Sequence, residues 1–125
     1  MKLTRHMLRE KGMTCIYQHL LLNKDIKEVV FENSEDNQID GFLYAITIDC
    51  IKYKDIYIEK INELLKGWEF SRLGYIEQAI LLIAICELDF EITPKAIVIN
   101  EAIQLAKRYC ADDAYKLING VLDRL

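Results

Sequence analysis

The chain has 125 residues, a mass of 14.6 kDa and a formal net charge of −4 at pH 7. Hydrophobic residues make up 52% and charged residues 29%, a balance typical of a globular protein that excludes a disordered or low-complexity chain. One proline and five glycines allow few loops, which favours an all-α fold over a β-sandwich or barrel. We therefore expect a single domain over residues 1–125.

The charge is unevenly distributed along the chain. Residues 1–24 carry five basic side chains and one acidic side chain, a net charge of +4, so the remaining residues together carry −8. A basic N-terminal segment on an acidic body favours a local binding site for a polyanion. The alternative is a first helix whose basic side chains are merely solvated, and charge alone does not decide between the two.

The cysteines and the apolar runs indicate whether the chain holds a metal or crosses a membrane. No two cysteines form a CxxC pair and only two histidines accompany them, so we expect no metal site and no cofactor. We expect reduced, buried thiols in a cytoplasmic protein. The longest apolar run, residues 79–86, is too short to span a membrane, and the N-terminus has no run of signal-peptide length. The cysteines are Cys15, Cys50, Cys86 and Cys110.

The N-terminal third predicts two helices. Thr4 is suited to cap a first helix that runs to about Leu22, with apolar residues along one side. Gly12 weakens this helix by about 1 kcal/mol relative to alanine and indicates a close packing contact. Asp25 is suited to open a short second helix, and the polar, acidic residues 33–41 predict a loop.

The middle of the chain is ambiguous. The β-branched residues of 42–51 fit a strand, but the apolar spacing also fits a helix, and we choose a helix because no partner strand is evident. Asp55 is then expected to cap a fourth helix that stops at Gly67. A short turn of helix is expected over residues 68–71.

Three helices are predicted in the C-terminal part. The fifth, over about 75–88, is apolar almost all round and should lie at the centre of a bundle. Thr93 and Pro94 give an N-cap and a first-turn proline for the sixth. Asp112 is expected to cap the seventh. The prediction is thus about seven mostly short helices.

Several motifs stand out along the chain: the segment from Arg5 through Arg9 to Ile16-Tyr17-Gln18, Trp68-x-x-x-Arg72-Leu73, Ile76-Glu77, Ile99-Asn100-Glu101-Ala102 with Leu105-Ala106-Lys107, and Asn119-Gly120-Val121-Leu122-Asp123. Together these motifs resemble the NusB family of bacterial transcription antitermination factors. That family is all-helical, with two small three-helix bundles packed as one domain, here about residues 1–66 and 67–125.

The resemblance implies a function in transcription rather than catalysis. NusB-like proteins bind the boxA element of ribosomal RNA leader transcripts together with NusE, a small-subunit ribosomal protein. The two nucleate an antitermination complex on RNA polymerase that supports processive transcription of ribosomal RNA. Some NusB-like proteins also form homodimers, and the resemblance gives a homodimer as one option for this chain.

Carried over by position, the resemblance implies two sets of contact residues. Basic side chains would neutralise phosphates and tyrosines would stack on unpaired bases. Asp113 would have to accept a hydrogen bond from a base or ribose, and its alternative role is to cap the last helix together with Asp112. The implied RNA contacts are Lys2, Arg5, His6, Arg9, Tyr17, Tyr109, Asp113 and Lys116. The implied NusE contacts are Glu77 and its neighbours Leu73 and Gln78.

Departures from the family pattern keep other hypotheses open. The family usually has an adjacent arginine pair where this chain has Arg5-His6, so RNA affinity in the absence of NusE is expected to be low. A protein-interaction module that binds NusE with little RNA affinity is therefore the alternative. An enzyme is disfavoured, because His6 and His19 have no convincing catalytic partner and no Gly-rich cofactor loop is present.

Overall fold

The computed structural model describes residues 3–35 and 38–125, which form seven helices and no strand. The all-α prediction is therefore confirmed, including the helical choice over the ambiguous residues 42–51. A short 3₁₀ turn, Phe70–Arg72, lies between the fourth and fifth helices. The helices are α1 (Arg5–Leu22), α2 (Ile26–Glu32), α3 (41–52), α4 (Lys54–Leu64), α5 (Tyr75–Asp89), α6 (Lys95–Tyr109) and α7 (Ala114–Asp123).

Local capping signals set the first two helices, as the sequence indicates. The Thr4 hydroxyl accepts a hydrogen bond from the Met7 amide at 3.1 Å. The Asp25 carboxylate accepts one from the Glu28 amide at 3.4 Å. These bonds satisfy amides that have no partner within their own helix. The expected boundaries of α1 and α2 are correct.

Helix α3 is capped by a residue that the sequence pattern placed in a loop. Asp40 accepts hydrogen bonds from the amides of Phe42 and Leu43 at 2.8 and 3.2 Å. The segment Ala45–Asp49 is π-helical, a wider winding that usually occurs only as a short insertion in an α-helix. A Cβ atom at Gly12 of α1 would lie 2.7 Å from Cδ1 of Ile46, so glycine permits the close approach of these two helices.

Three expected caps are wrong. Helix α4 begins at Lys54, one residue after α3 ends, so Asp55 lies inside its first turn and complements the helix dipole instead. Helix α6 is preceded by Pro94, and the Thr93 hydroxyl donates to a Glu87 carboxylate oxygen at 2.7 Å. Helix α7 is preceded by Asp113, and neither it nor Asp112 makes a side-chain capping bond.

Helix α5 is the centre of the fold. Every residue from Gln78 to Glu87 is buried, which confirms the prediction of a helix apolar almost all round. It packs against α1, α3, α4, α6 and α7, on both sides of the expected boundary near residue 66. The division into bundles of about 1–66 and 67–125 therefore remains a prediction. Within the described residues, no helix combines the length and apolar character needed to cross a bilayer.

Candidate nucleic-acid interface

Side chains of α1 and α6 meet at the surface and bring the N-terminal segment next to Tyr109. The His6 imidazole Nδ1 lies 2.7 Å from a Glu101 carboxylate oxygen. One turn further along α1, Glu10 accepts a hydrogen bond from the Tyr109 hydroxyl and pairs with the Arg108 guanidinium at 3.4 Å. We call the surface formed by His6, Glu10, Arg108 and Tyr109 the α1–α6 face.

Tyr17 lies on the same side of α1 as this face. His6, Glu10 and Tyr17 are spaced i, i+4 and i+11, which places them in one row along a helix. At about 1.5 Å per residue, Tyr17 lies roughly 10 Å beyond Glu10. It is half-buried and packs against the core, so only part of its ring is available for stacking.

Arg5 is exposed at the edge of the face. Its guanidinium lies 4.1 Å from the centre of the Phe42 ring, a cation–π contact with α3. No carboxylate of the described residues lies within ion-pair distance of it. Such a contact orients the guanidinium while its charge remains available to an anion.

Arg9 requires a correction to the expected RNA face, because it lies in the interior. It is 4% exposed, and its Nε and Nη2 atoms donate to the Glu87 carboxylate at 2.9 and 2.8 Å. Its Nη1 atom lies 3.6 Å from Glu101. Burial lowers the pKa of Arg9, but the hydrogen bonds and charge of Glu87 outweigh this and leave the pKa raised. The guanidinium is therefore committed to α5 and α6 and is not displayed to a ligand.

Tyr109 is exposed, and its hydroxyl is held by Glu10. The hydrogen bond to Glu10 raises the pKa of the Tyr109 phenol above its usual value, with smaller contributions from burial and from the carboxylate charge. The Arg108 guanidinium lies 5.3 Å from the centre of the tyrosine ring. An aromatic side chain thus stands beside a cation on an accessible surface, the combination that binds single-stranded nucleic acid.

Asp113 and Lys116 lie at the start of α7, and the structure does not bring them into contact with the α1–α6 face. Their charged atoms are 3.5 Å apart, and both side chains are exposed. Because the Asp113 carboxylate caps no helix, it is available to accept a hydrogen bond from a ligand. Lys2, the remaining expected RNA contact, lies outside the described residues.

The expected NusE contacts are only partly at the surface. Glu77 is half-buried and faces a groove of about 370 Å³, which we call the Trp68 groove. Leu73 is buried, and Gln78, 5% exposed, donates to the Leu73 carbonyl at 2.9 Å. Because both residues are buried, they position Glu77 and offer little surface to a partner. The groove is lined by Trp68, Arg72, Leu73, Gly74, Glu77, Asp113, Ala114 and Leu117.

The Trp68 groove connects the two predicted contact sets. Asp113, expected at the RNA, lines the same groove as Glu77, expected at the protein partner. Sequence reasoning did not include Trp68 and Arg72 in the site, although both were motif residues. The Arg72 guanidinium lies 5.4 Å from the centre of the exposed Trp68 ring.

The cysteines show no sign of a metal site. Within the described ranges, no group of three or more His, Cys, Asp or Glu side chains is arranged to hold a metal ion. All four cysteines are free; three are buried, and Cys110 is half-buried. Burial raises the pKa of the Cys15 and Cys110 thiols to about 11, which suppresses their reactive thiolate form.

Comparison with known proteins gives one consistent result. The protein-family model for the NusB family matches the sequence over residues 6–125. The transcription antitermination protein NusB of a Nitratiruptor species is 36% identical over 126 residues, covering 98% of this chain and 91% of that protein. The solved structure of T. maritima NusB superposes with a TM-score of 0.84 at 28% identity, covering 99% of this chain and 91% of that one.

A further solved structure contains antitermination factors NusB and NusE in complex with double-stranded RNA. It matches with a TM-score of 0.83 at 23% identity, covering 96% of this chain and 93% of that one, and at this identity it shows the fold alone. The family match and the relative at 36% identity each extend over nearly the whole chain. The chain therefore belongs to the NusB family of transcription antitermination proteins, which are not enzymes.

Proposed function

We propose that this protein is an RNA-binding antitermination factor that binds boxA of ribosomal RNA leader transcripts together with NusE. In this role it joins the antitermination complex on RNA polymerase, in the cytoplasm, and supports processive transcription of ribosomal RNA. The observation that carries the proposal is the α1–α6 face, where Tyr109 and basic side chains are exposed together. The related complex of NusB, NusE and RNA supports the choice of partners.

On the RNA side, the proposal assigns different roles to the basic residues. Arg5 and Lys116 are exposed and neutralise phosphates, and each neutralised phosphate adds about 0.7 to the salt slope for a single strand. Tyr109 stacks on an unpaired base. Arg9 contributes indirectly, since its bonds to Glu87 fix the part of α1 that carries Arg5 and His6.

On the protein side, we assign NusE to the Trp68 groove. An exposed tryptophan beside an arginine is typical of the residues that dominate protein interfaces. Because Asp113 lines this groove, NusE bound there would lie next to RNA at the start of α7. This proximity gives a physical reason for the two ligands to strengthen each other's binding.

The second candidate function is a NusE-binding module with little RNA affinity of its own. It is favoured by the number of cations already paired inside the protein. Arg9 is bound to Glu87, Arg108 to Glu10, and Lys116 to Asp113. The protein thus displays less free positive charge at the proposed RNA contacts than its composition suggests.

A titration of labelled boxA RNA in the presence of saturating NusE separates these functions. The proposal predicts at least about tenfold tighter binding of boxA than of a scrambled RNA of equal length, a difference of about 1.4 kcal/mol. Equal affinity for the two RNAs would favour the interaction module. Because NusB-like proteins can dimerise, sedimentation should establish the oligomeric state at the same protein concentration.

A further inference from the structure

We propose that Arg108 is an additional phosphate-binding residue of the α1–α6 face, and that Glu10 is an internal carboxylate that competes with RNA for it. The inference rests on the proposed RNA-binding function. It adds a residue that the carried-over contact set did not contain, and it gives the acidic residue of the N-terminal segment a role in setting RNA affinity.

The Glu10 carboxylate is held by Arg108 and Tyr109 in the way that a bound anion would be. One oxygen of the Glu10 carboxylate lies 3.4 Å from Nη1 of Arg108, and the other accepts the hydrogen bond from the Tyr109 hydroxyl. A guanidinium and a hydroxyl converging on one anionic group are donors that an RNA phosphate also uses. Glu10 therefore occupies the position that a phosphate oxygen would take between these two side chains.

The contact is weak enough to be exchanged. The Arg108 side chain is 63% exposed and that of Glu10 is 28% exposed. Exposed ion pairs of this kind change equilibria by only about 1.4- to 5-fold, whereas a phosphate can engage a guanidinium through two parallel hydrogen bonds. Only one guanidinium nitrogen is engaged by Glu10, so others remain for an incoming phosphate.

A contrast with another arginine shows why Arg108 is available and Arg9 is not. The Arg9 pair with Glu87 is almost fully buried, makes two short hydrogen bonds, and is supported by the Thr93 hydroxyl. Removing Arg9 from that pair would leave a carboxylate buried without its charge partner. The Arg108 pair carries no such penalty, because water reaches both of its members.

The location of Arg108 also suits an RNA contact. It immediately precedes Tyr109, and its guanidinium lies 5.3 Å from the centre of that ring. A base stacked on the tyrosine would carry its phosphate within reach of the adjacent guanidinium. When RNA enters, the Glu10 contact opens and the carboxylate turns to solvent, while Arg108 binds the phosphate.

The test uses the full chain with saturating NusE and labelled boxA RNA, titrated at several salt concentrations. Glu10→Gln should tighten RNA binding about two- to fivefold and steepen the salt slope by up to about 0.7. Arg108→Ala should weaken binding and flatten the slope. The decisive sample is the double variant, Glu10→Gln with Arg108→Ala. It should bind RNA no more tightly than Arg108→Ala alone, because the residue for which Glu10 competes is absent.

A matched control removes an equal charge elsewhere. Glu63 is an exposed carboxylate paired with Lys60 on α4, away from the α1–α6 face, so Glu63→Gln should leave the affinity unchanged. An equal gain from Glu10→Gln with and without Arg108, or from Glu63→Gln, would overturn the inference, since the effect would then be one of net charge. If the unaltered protein fails to bind boxA in this assay, the proposed function fails and the inference fails with it.

Discussion

Arg9 and Glu87 form a nearly fully buried ion pair that ties α1 to the central helix α5, with hydrogen bonds of 2.9 and 2.8 Å. Because of this pair, not every basic side chain of the N-terminal segment is available to bind RNA. One of its arginines builds the fold, and another, Arg5, is exposed at the surface. Substitution of Arg9 should therefore affect mainly stability, and substitution of Arg5 should affect mainly RNA binding.

Arg9→Ala should destabilise the protein by about 3–5 kcal/mol, because it leaves the Glu87 carboxylate buried without its partner. Urea unfolding followed by circular dichroism measures the change. Replacing both partners, Arg9→Met with Glu87→Leu, should restore most of the loss, since no isolated buried charge remains. Unchanged stability in Arg9→Ala would show that the guanidinium is not held in the interior.

Arg5→Ala should have the reverse profile. Its loss removes one surface cation, so the salt slope of RNA binding should flatten by about 0.7 and the affinity should fall. Stability should change by less than about 1 kcal/mol, the usual size of an exposed cation–π contact. Lys60→Ala on α4 is the control. An Arg5→Ala slope equal to that of the control would move the RNA site away from this end of α1.

The sequence predicts local features of this fold better than distant contacts. Thr4 and Asp25 cap helices through amides three residues away, so their roles are visible in short motifs. The burial of Arg9 depends on Glu87, 78 positions later, and a charged residue on a helix is ordinarily expected to be exposed. The contact of Glu10 with Tyr109 could not be predicted for the same reason, since the two residues are 99 positions apart.

The wrong caps have a related cause. Asp55 fits a capping pattern, but α3 leads almost directly into α4, so the helix restarts before it. Thr93 also fits, yet its hydroxyl is needed by the buried Glu87 carboxylate. In the partner region, the resemblance supplied Leu73 and Gln78 by proximity to Glu77, and only the packing of α5 shows that both are buried.

Substitutions of Tyr109 separate its ring from its hydroxyl. Tyr109→Ala should weaken boxA binding by about 1–3 kcal/mol through loss of stacking. Tyr109→Phe keeps the ring and loses only the hydroxyl, which bonds to Glu10 in the free protein, so its RNA affinity should fall much less than that of Tyr109→Ala. Both are measured by RNA titration with NusE present. Wild-type affinity in Tyr109→Ala would remove the tyrosine from the interface.

Glu77→Lys should weaken NusE binding by about tenfold or more, about 1.4 kcal/mol, because it reverses a charge in the Trp68 groove. Calorimetric titration of NusE without RNA measures this effect directly. Glu63→Lys makes the same charge change at an exposed position on α4 and should leave NusE affinity unaltered. If the two variants bind NusE equally well, the partner lies on another surface.

The most direct test of the account is the linkage between NusE and boxA RNA. The dissociation constant of boxA should fall by about 5- to 150-fold when NusE is saturating, the usual range for coupled binding sites. By thermodynamic reciprocity, boxA must strengthen NusE binding by the same factor. A boxA dissociation constant that is the same with and without NusE would contradict the account.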